Sequence, residues 1–536
     1  MIGLLLALCV FLPACGGRGT VAPAATEAAA ADASRYLRIV DDEPTTLDPQ
    51  CTTEYYTVPL NVFDRLVDVQ TENGESRLVP SLAERWDISP DGLTYTFFLR
   101  PDVRFSNGSA LTASDVGYTF TRLLTHPDSV NEDIATSILG AEALRAGEAD
   151  TLKGFRAIDD LTFEIALQYP YAPFLACLST PGASILDEQS TEAAGEDFGK
   201  TVEATVGTGA FALEAWEPGV ELRLSVNRDY WDVPPGCDGL RMLFLTDTVS
   251  QRMLYDEGML DILDLEYLGP EAEYFIHGDI YRTSLVRGPR AGITYVALNE
   301  SVKPLDDARV RRALQLALDR PTLMRAMVSG RGNVENGIFP HGLLGFDPTL
   351  PEIPCDPDAA AALLKEAGYA DGFDLELCCT ASASENDRNQ LDIIAYMWSK
   401  IGVRARVTAL SSEEYMARRN AGLLPCYVST WSADYDDPDN FIYTFFGSHE
   451  NTISRSLCYP DGAVMRRVNE ARAIVDEDAR LAEYRALERK IVQEDAAWIP
   501  LYSKLHLFVV NSRVSGFEVS WNGWSSTNYR HVAVSE

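Results

Sequence analysis

The sequence predicts an α/β protein of two or three domains, and three observations carry that prediction. The chain has 536 residues, too many for one compact core. Strand-like and helix-like segments alternate along its length, as they do in α/β domains. The stretch Val79 to Phe120 sets a turn, an alternating strand, a second turn and a helix start in fixed order. With 46% hydrophobic and 23% charged residues, the composition is that of a folded globular chain.

Each element has a local reason. Ser89-Pro90-Asp91-Gly92 is a tight turn, with Pro fixing φ and Gly tolerating a positive φ. Thr94 to Leu99 is aromatic and β-branched, so Tyr95, Phe97 and Leu99 share one strand face. Asn107-Gly108 turns the chain again, and Thr112-Ala113-Ser114-Asp115 opens a helix. Glu217-Pro218-Gly219 joins two alternating runs, Phe211/Leu213 and Leu222/Leu224. Ile293 to Asn299 is a short apolar strand. Asp306-Asp307 caps a helix with Val310, Ala313, Leu314 and Ala317 on one face, ending near Pro321. Amphipathic helices are predicted over 356–367, 392–401 and 464–493, and Trp498 to Tyr502 leads into a strand over 505–510.

Charge and motifs narrow the function. The formal charge of −35 repels nucleic acid, and no basic run offsets it. The acidic balance favours solubility and weak attraction for cations. Six histidines, at 126, 277, 341, 449, 506 and 531, are scattered without paired metal-ligand spacing. There is no GxSxG, no P-loop and no GxGxxG after a strand. Any catalytic pair chosen from 80 acidic residues would be arbitrary, because a solvated face explains such residues by default. The sequence therefore gives no reason to expect an enzyme, a cofactor or a metal.

The amino terminus reads as export. Ile2 to Ala14 is apolar but shorter than the roughly 20 residues that span a bilayer, and its length suits a signal-peptide core. Residues 16–35 are rich in Gly, Ala and Thr and read as a flexible tether. Setting aside Cys9 and Cys15 leaves eight of the ten cysteines, none with CxxC spacing. Cys378-Cys379 and Cys426 lie in apolar strand-like runs, and their pairing stays open.

One segment stands out as chemistry, Thr430 to Phe441, reading TWSADYDDPDNF. It follows an apolar strand, Pro425 to Thr430, at the carboxyl end where α/β folds usually hold ligands. A fixed Asp434 carboxylate facing an ammonium would contribute about 1.5–3 kcal/mol. Trp431 and Tyr435 would add apolar contact and exclude water. Two other readings stay open. Asp434 starts an Asp-rich turn before Pro438, or Asp434, Asp436, Asp437 and Asp439 form a calcium loop, though without the mid-loop Gly and terminal Glu of an EF-hand.

The blocks at 79–120, GTGAF (207–211) with NRDYW (227–231), YVALN (295–299), DDARVRRAL (306–314) with Asp319-Arg320, and EPTTLDP (43–49) together resemble the family 5 extracellular solute-binding proteins. These are the peptide and nickel receptors of ABC importers, and the blocks fall in the family's order along roughly the whole mature chain. The resemblance implies a bilobed, periplasmic-binding-protein-like clamp of three domains, cluster C-like, with mixed sheets. Domain I would combine 36–58, 201–287 and 499–536; domain II would be the insert 59–200; domain III would be 288–498. Two crossings, near 287–292 and 497–500, would form the hinge. Leu12-Pro13-Ala14-Cys15-Gly16 looks like a lipobox, with Pro13 departing from the pattern, and implies a signal peptide over 1–15 and lipidation at Cys15.

In peptide-binding members the Asp of a W-x-x-D segment binds the peptide ammonium, which implies that role for Asp434 with Trp431 beside it. Basic side chains of domain III hold the far carboxylate. One such position matches Arg419, a second is Val428, and Arg388 lies close to a third. Glu54, Tyr55 and Tyr56 follow the LDP block in a region that lines the cleft. The resemblance thus implies a monomeric, lipid-anchored receptor outside the cytoplasm that hands short peptides to an ABC permease. Rival cargoes are a nickel chelate, an oligosaccharide or another small solute, and the rival class is a secreted carboxylate-dependent hydrolase.

Overall fold

The structure is a computed structural model that describes residues 35–72, 75–520 and 527–535. Cys15, the signal segment and the tether up to Ser34 lie outside the described residues. Strand β1 (Tyr36–Val40) buries Leu37 and Ile39 at alternate positions. After a short helix, Thr57–Val62, the chain enters an inserted antiparallel unit. Strands β2 (Val67–Glu72) and β3 (Glu75–Pro80) form a hairpin, while β4 (Ala83–Ile88), β5 (Thr94–Leu99), β6 (Phe155–Asp159) and β7 (Thr162–Ala166) form a sheet of order β4-β5-β7-β6. Tyr95, Phe97 and Leu99 of β5 are all buried, and Gly92 takes φ 69° in the turn before it. Helix Ala113–Thr125 starts with a capping box in which Thr112 and Asp115 satisfy each other's N-terminal groups. One apolar core, from Leu66 to Ile185, closes this unit.

The remaining strands share one large sheet, apart from a short antiparallel pair, Val514–Ser515 with Ala533–Val534. From one lobe come β1, β8 (Phe211–Glu217), β9 (Glu221–Val226), β10 (Gly239–Leu243), β11 (Ile262–Asp264) and β12 (Leu285–Pro289). From the other come β13 (Gly292–Leu298), β14 (Gly332–Val334), β15 (Phe373–Thr380), β16 (Val403–Leu410) and β17 (Cys426–Ser432). Strand β18 (Trp498–Val510) belongs to both. Its first half pairs with β13 and β14 as far as Lys504, and its second half pairs with β12 and β11 from Leu505 onward. The chain therefore crosses between lobes twice, at Arg290–Ala291 and at Lys504–Leu505. The second crossing lies inside an unbroken strand, later than the 497–500 that the sequence suggests. Separate apolar cores flank it, Leu37 to Val534 on one side and Ala291 to Tyr502 on the other.

Several boundaries differ from the sequence reading for identifiable reasons. Pro500 does not delay β18, because it sits opposite Tyr295 where the register shifts between Thr294 and Tyr295 and no ladder N–H is required. Pro321 opens a second helix, Arg320–Val328, where its missing N–H is one that the first turn leaves unpaired anyway. The helix predicted from 392 begins at Glu385, behind a Ser384/Asp387 capping box. The long helix predicted over 464–493 is two, Gly462–Ala471 and Glu477–Glu488, the second capped by Asp476 and continued as a π-helical turn. Between them, Arg472 turns toward Asp439, 3.0 Å away. All eight cysteines of the described region are free thiols.

A buried acid marks the interior of the second lobe. Glu488 is fully enclosed; its Oε1 accepts the N–H groups of Ile338 (2.5 Å) and Phe339 (2.9 Å), and its Oε2 has no partner among the described residues. Burial pushes its carboxyl up to about 8, against the pull of those two N–H groups. A carboxyl raised on folding binds its proton more tightly in the native state, so its favourable contribution is complete below the ordinary Glu range and is lost as pH rises through about 8. Glu488→Gln, which cannot ionise, is therefore expected to gain melting temperature relative to the parent as pH rises from 5 to 9. A difference between the two proteins that stays constant over that range, measured by scanning calorimetry, contradicts this.

Candidate ligand-binding site

The site grows from the end of β17. Strand β17 pairs with β13 from Cys426–Leu298 to Ser432–Gly292, and the Ala433 N–H then donates to the Ala291 carbonyl at 2.7 Å beside the first lobe crossing. The chain leaves the sheet there as the Asp-rich loop before helix Asp439–Phe446. Asn440, in that helix, organises the loop. Its side-chain oxygen accepts both the Trp431 indole N–H (3.1 Å) and the Asp434 backbone N–H (3.2 Å), while its amide donates to Asp434 Oδ2 at 2.9 Å.

The four loop carboxylates divide three to one. Asp436 accepts the Leu344 N–H at 2.8 Å, Asp437 pairs with the buried Arg480, and Asp439 receives Arg472, Tyr484 and Tyr435. All three are buried. Their oxygens are thus taken by separate protein partners, which leaves the calcium-loop reading without ligands. Asp434 alone is exposed, and its second oxygen accepts no hydrogen bond among the described residues.

Asp434 lies within electrostatic reach of the other lobe. Its charge disfavours ionisation of the Tyr56 phenol, whose pKa is raised first by burial, then by Asp434 and Glu54. Asp133 of the inserted unit also acts on Asp434. The Asp434 carboxyl is itself raised, chiefly by burial and then by Asp133, against the pull of Asn440 and Arg455. Exposure and burial coexist here because water reaches the carboxylate while protein flanks it, so a ligand can reach it as well.

Opposite stands the segment after the LDP block. Thr52 Oγ1 donates to the Glu54 carbonyl at 2.7 Å, and Asn131 donates to the Thr52 carbonyl at 2.8 Å, pinning this loop to the inserted unit. Tyr55 takes φ 49°, a left-handed conformation that non-glycine residues seldom adopt and that often accompanies function. Glu54, Tyr55 and Tyr56 line a recess of about 500 Å³ together with Asp41, Asp264 and Arg290. Burial pushes Asp41 up to about 6 despite its bond to Thr57.

The remaining residues singled out from the sequence fall in different surroundings. Tyr435 points into the inserted unit, where it packs on that unit's core and its hydroxyl lies 3.3 Å from Tyr171 and 3.2 Å from Asp439. Arg472 stacks over the Tyr171 and Tyr443 rings at 4.8 and 3.5 Å, and its carbonyl accepts the Ala172 N–H at 2.8 Å. Tyr435 is therefore part of a bridge between the inserted unit and the second lobe. Arg419 is on helix Ser412–Asn420, and among the described residues its guanidinium donates only to the Asn420 side chain, at 3.1 and 3.3 Å. Arg388 is exposed, and its guanidinium donates to the Ala381 carbonyl at 2.5 Å beyond the end of β15. Sequence reasoning missed Asn440 and Arg455. Asn440 lies within the segment and nine residues past Trp431, a spacing with no motif behind it; Arg455 carries no sequence signal at all.

Comparisons with known proteins agree with this architecture. Residues 77–452 match the family described as bacterial extracellular solute-binding proteins, family 5 Middle. The chain is 28% identical to the dipeptide-binding protein of Escherichia coli K12, covering 92% of this chain and 94% of that one. It is 26% identical to heme-binding protein A of Haemophilus influenzae, over 88% and 87%. Its fold superposes on the murein tripeptide binding protein MppA in the unliganded open form with a TM-score of 0.82, at 25% identity over 94% and 98% of the two chains. This two-lobed architecture and the family match define an extracytoplasmic solute-binding protein, one that holds a cargo without transforming it. This chain belongs to the bacterial extracellular solute-binding proteins of family 5. Among the described residues no helix is long and apolar enough to cross a membrane.

Asn440→Ala removes the acceptor of two N–H groups and the donor that fixes Asp434. A stability loss of about 1–3 kcal/mol is expected in urea denaturation. Unchanged stability contradicts the organising role given to Asn440.

Proposed function

We propose that this protein captures short peptides by their free amino terminus and presents them to an ABC permease, tethered to the outer face of the membrane through a lipidated Cys15. Domain I (36–58, 201–287, 499–536) with domain II (59–200) forms one jaw, and domain III (288–498) forms the other. The observation that carries this reading is Asp434: the one solvent-accessible carboxylate of its loop, with an oxygen left over, facing Tyr56, Glu54 and Asp133. A cationic ligand end completes that oxygen's hydrogen bonding and relieves its repulsion with Asp133. Trp431, held by Asn440, forms the wall beside the ammonium, and Glu54 and Tyr55 contribute the opposite wall. Main-chain bonds along an extended ligand supply sequence-tolerant affinity, as in β-strand addition. Closure requires that the ligand bind the closed state more tightly than the open one. The dipeptide-binding relative supports the peptide cargo; the heme-binding relative favours a second one.

Calorimetry with alanyl-alanine tests the reading. Heat is expected with the free dipeptide and not after N-acetylation, and Asp434→Asn should weaken binding at least tenfold, as loss of a charge-assisted bond predicts. Equal affinity for acetylated and free peptides overturns it, and a Soret shift on adding hemin without heat from dipeptides favours the second cargo. The pH dependence has a fixed sign. The ligand ammonium stays charged below about 7.7–8.0, whereas acid neutralises Asp434. Because its carboxyl is raised, affinity should begin to fall at a higher pH than an ordinary Asp would give, and Asp434→Asn should flatten the profile.

A further inference from the structure

The two lobe crossings meet at one carboxylate. Strands β12 and β13 lie along one side of β18, and β11 and β14 lie along the other. On that second side the lobes abut end to end. The Leu265 N–H, just past β11, donates to the Leu507 carbonyl at 2.9 Å, and the Leu505 N–H donates to the carbonyl of Arg331, just before β14, at 3.0 Å. Glu266 follows at this seam. Its N–H donates to Asp264 Oδ1 at 2.9 Å, and Asp264 Oδ2 lies 2.7 Å from His506 Nε2, so Glu266 is fixed to the first lobe.

The Glu266 carboxylate takes one cation from each crossing. Its Oε2 pairs with Arg290, and its Oε1 lies 3.6 Å from the Lys504 ammonium. The two cationic residues are joined through the backbone, since the Arg290 N–H donates to the Lys504 carbonyl at 3.3 Å. Beside the seam, Arg331 of the second lobe pairs with Glu273 of the first at 3.0 Å. The Glu266 side chain is 25% exposed, against 58% and 82% for Arg404 and Asp374, an ordinary surface pair within the second lobe. Water therefore screens the trio less than it screens such a pair.

Lobe movement changes backbone torsions at 290–291 and 504–505, and the two cations hang from those same residues. Glu266 stays with the first lobe, so a change at either crossing displaces a cation from it. We infer that Glu266 is a hinge clasp: it holds Arg290 and Lys504 in the open arrangement, the form of MppA on which this fold superposes, and so sets how readily the jaws close. The clasp acts without touching cargo. It works through the open-to-closed balance, because apparent affinity scales with the fraction of protein in the binding-competent state. The inference rests on the two-jaw reading of the protein.

The test compares the full protein with Glu266→Gln, which keeps the size and removes the charge, and with Lys504→Gln, which breaks one pair from the other end. Asp374→Asn serves as the control, since it removes one acid from a pair confined to the second lobe. Hydrogen exchange of the unliganded proteins, read by mass spectrometry, follows peptides covering 286–292 and 503–508, with 94–99 in the core of the inserted unit as reference. Glu266→Gln should exchange about three- to tenfold faster in both crossing segments and match the parent at 94–99, the size expected from losing two partly enclosed ion pairs. Lys504→Gln should show a smaller shift in the same direction, and Asp374→Asn should match the parent throughout. Calorimetry should then show Glu266→Gln binding alanyl-alanine about three- to tenfold more tightly than the parent. Unchanged exchange at both crossings overturns the inference, as does unchanged or weaker affinity in Glu266→Gln. Equal acceleration in Asp374→Asn also overturns it, because net charge alone would then be the cause. A parent that gives no heat with alanyl-alanine removes the peptide reading, and exchange at the two crossings then decides the clasp by itself.

Discussion

The bond from the Asn440 amide to Asp434 Oδ2, 2.9 Å long, fixes one carboxylate oxygen and leaves the other open. Around it the loop has no slack, since Asp436, Asp437 and Asp439 are each drawn inward by separate partners. The result is a single negative charge held still in a partly desolvated cleft, where water screens it less than on an open surface. A charge kept in place before the ligand arrives need not be ordered on binding, and the ordering term is a large part of what association costs. The proposed capture of a ligand ammonium depends on that one orientation.

The fold supplies the second requirement, a wall that can approach. Strand β18 runs unbroken through both lobes and changes partners between Lys504 and Leu505, while the other crossing passes through Arg290 and Ala291. Motion of one lobe on the other is thereby confined to a few backbone torsions at the sheet's midline. The Asp434 loop leaves β17 next to this line, since Ala433 is bonded to Ala291. The Tyr171–Tyr435–Asp439–Arg472 cluster joins the same loop to the inserted unit. The proposed ligand contact and the lobe crossing therefore meet on one short segment, so differential contacts there can shift the open-to-closed balance.

Much of the scaffold was legible in the sequence because its signals are local. The Ser89–Gly92 turn, the alternation of β5 and the Thr112 cap each lie within a few residues, and each forms where it is expected. Asp434 could be singled out because it follows an apolar strand and sits among aromatics. What escaped is what depends on distant partners. Whether Tyr435 faces ligand or the inserted unit is decided by Tyr171, more than two hundred and fifty residues earlier. Arg455 gains its setting from Trp431 and Phe445 only once the helix before it packs on helices Ser412–Asn420 and Asp439–Phe446. The break near Arg472 follows from an ion pair with Asp439 that no periodicity reports. Asn440 shows the middle case, present in the segment but silent about the three bonds it makes.

A crystal structure of the protein with bound alanyl-alanine addresses the central claim most directly. The account predicts the ligand nitrogen within about 3 Å of the Asp434 oxygen that Asn440 does not hold, a normal hydrogen-bond distance, with the lobes drawn together over it. A bound dipeptide whose ammonium meets some other group, with Asp434 still touching only Asn440, would contradict it.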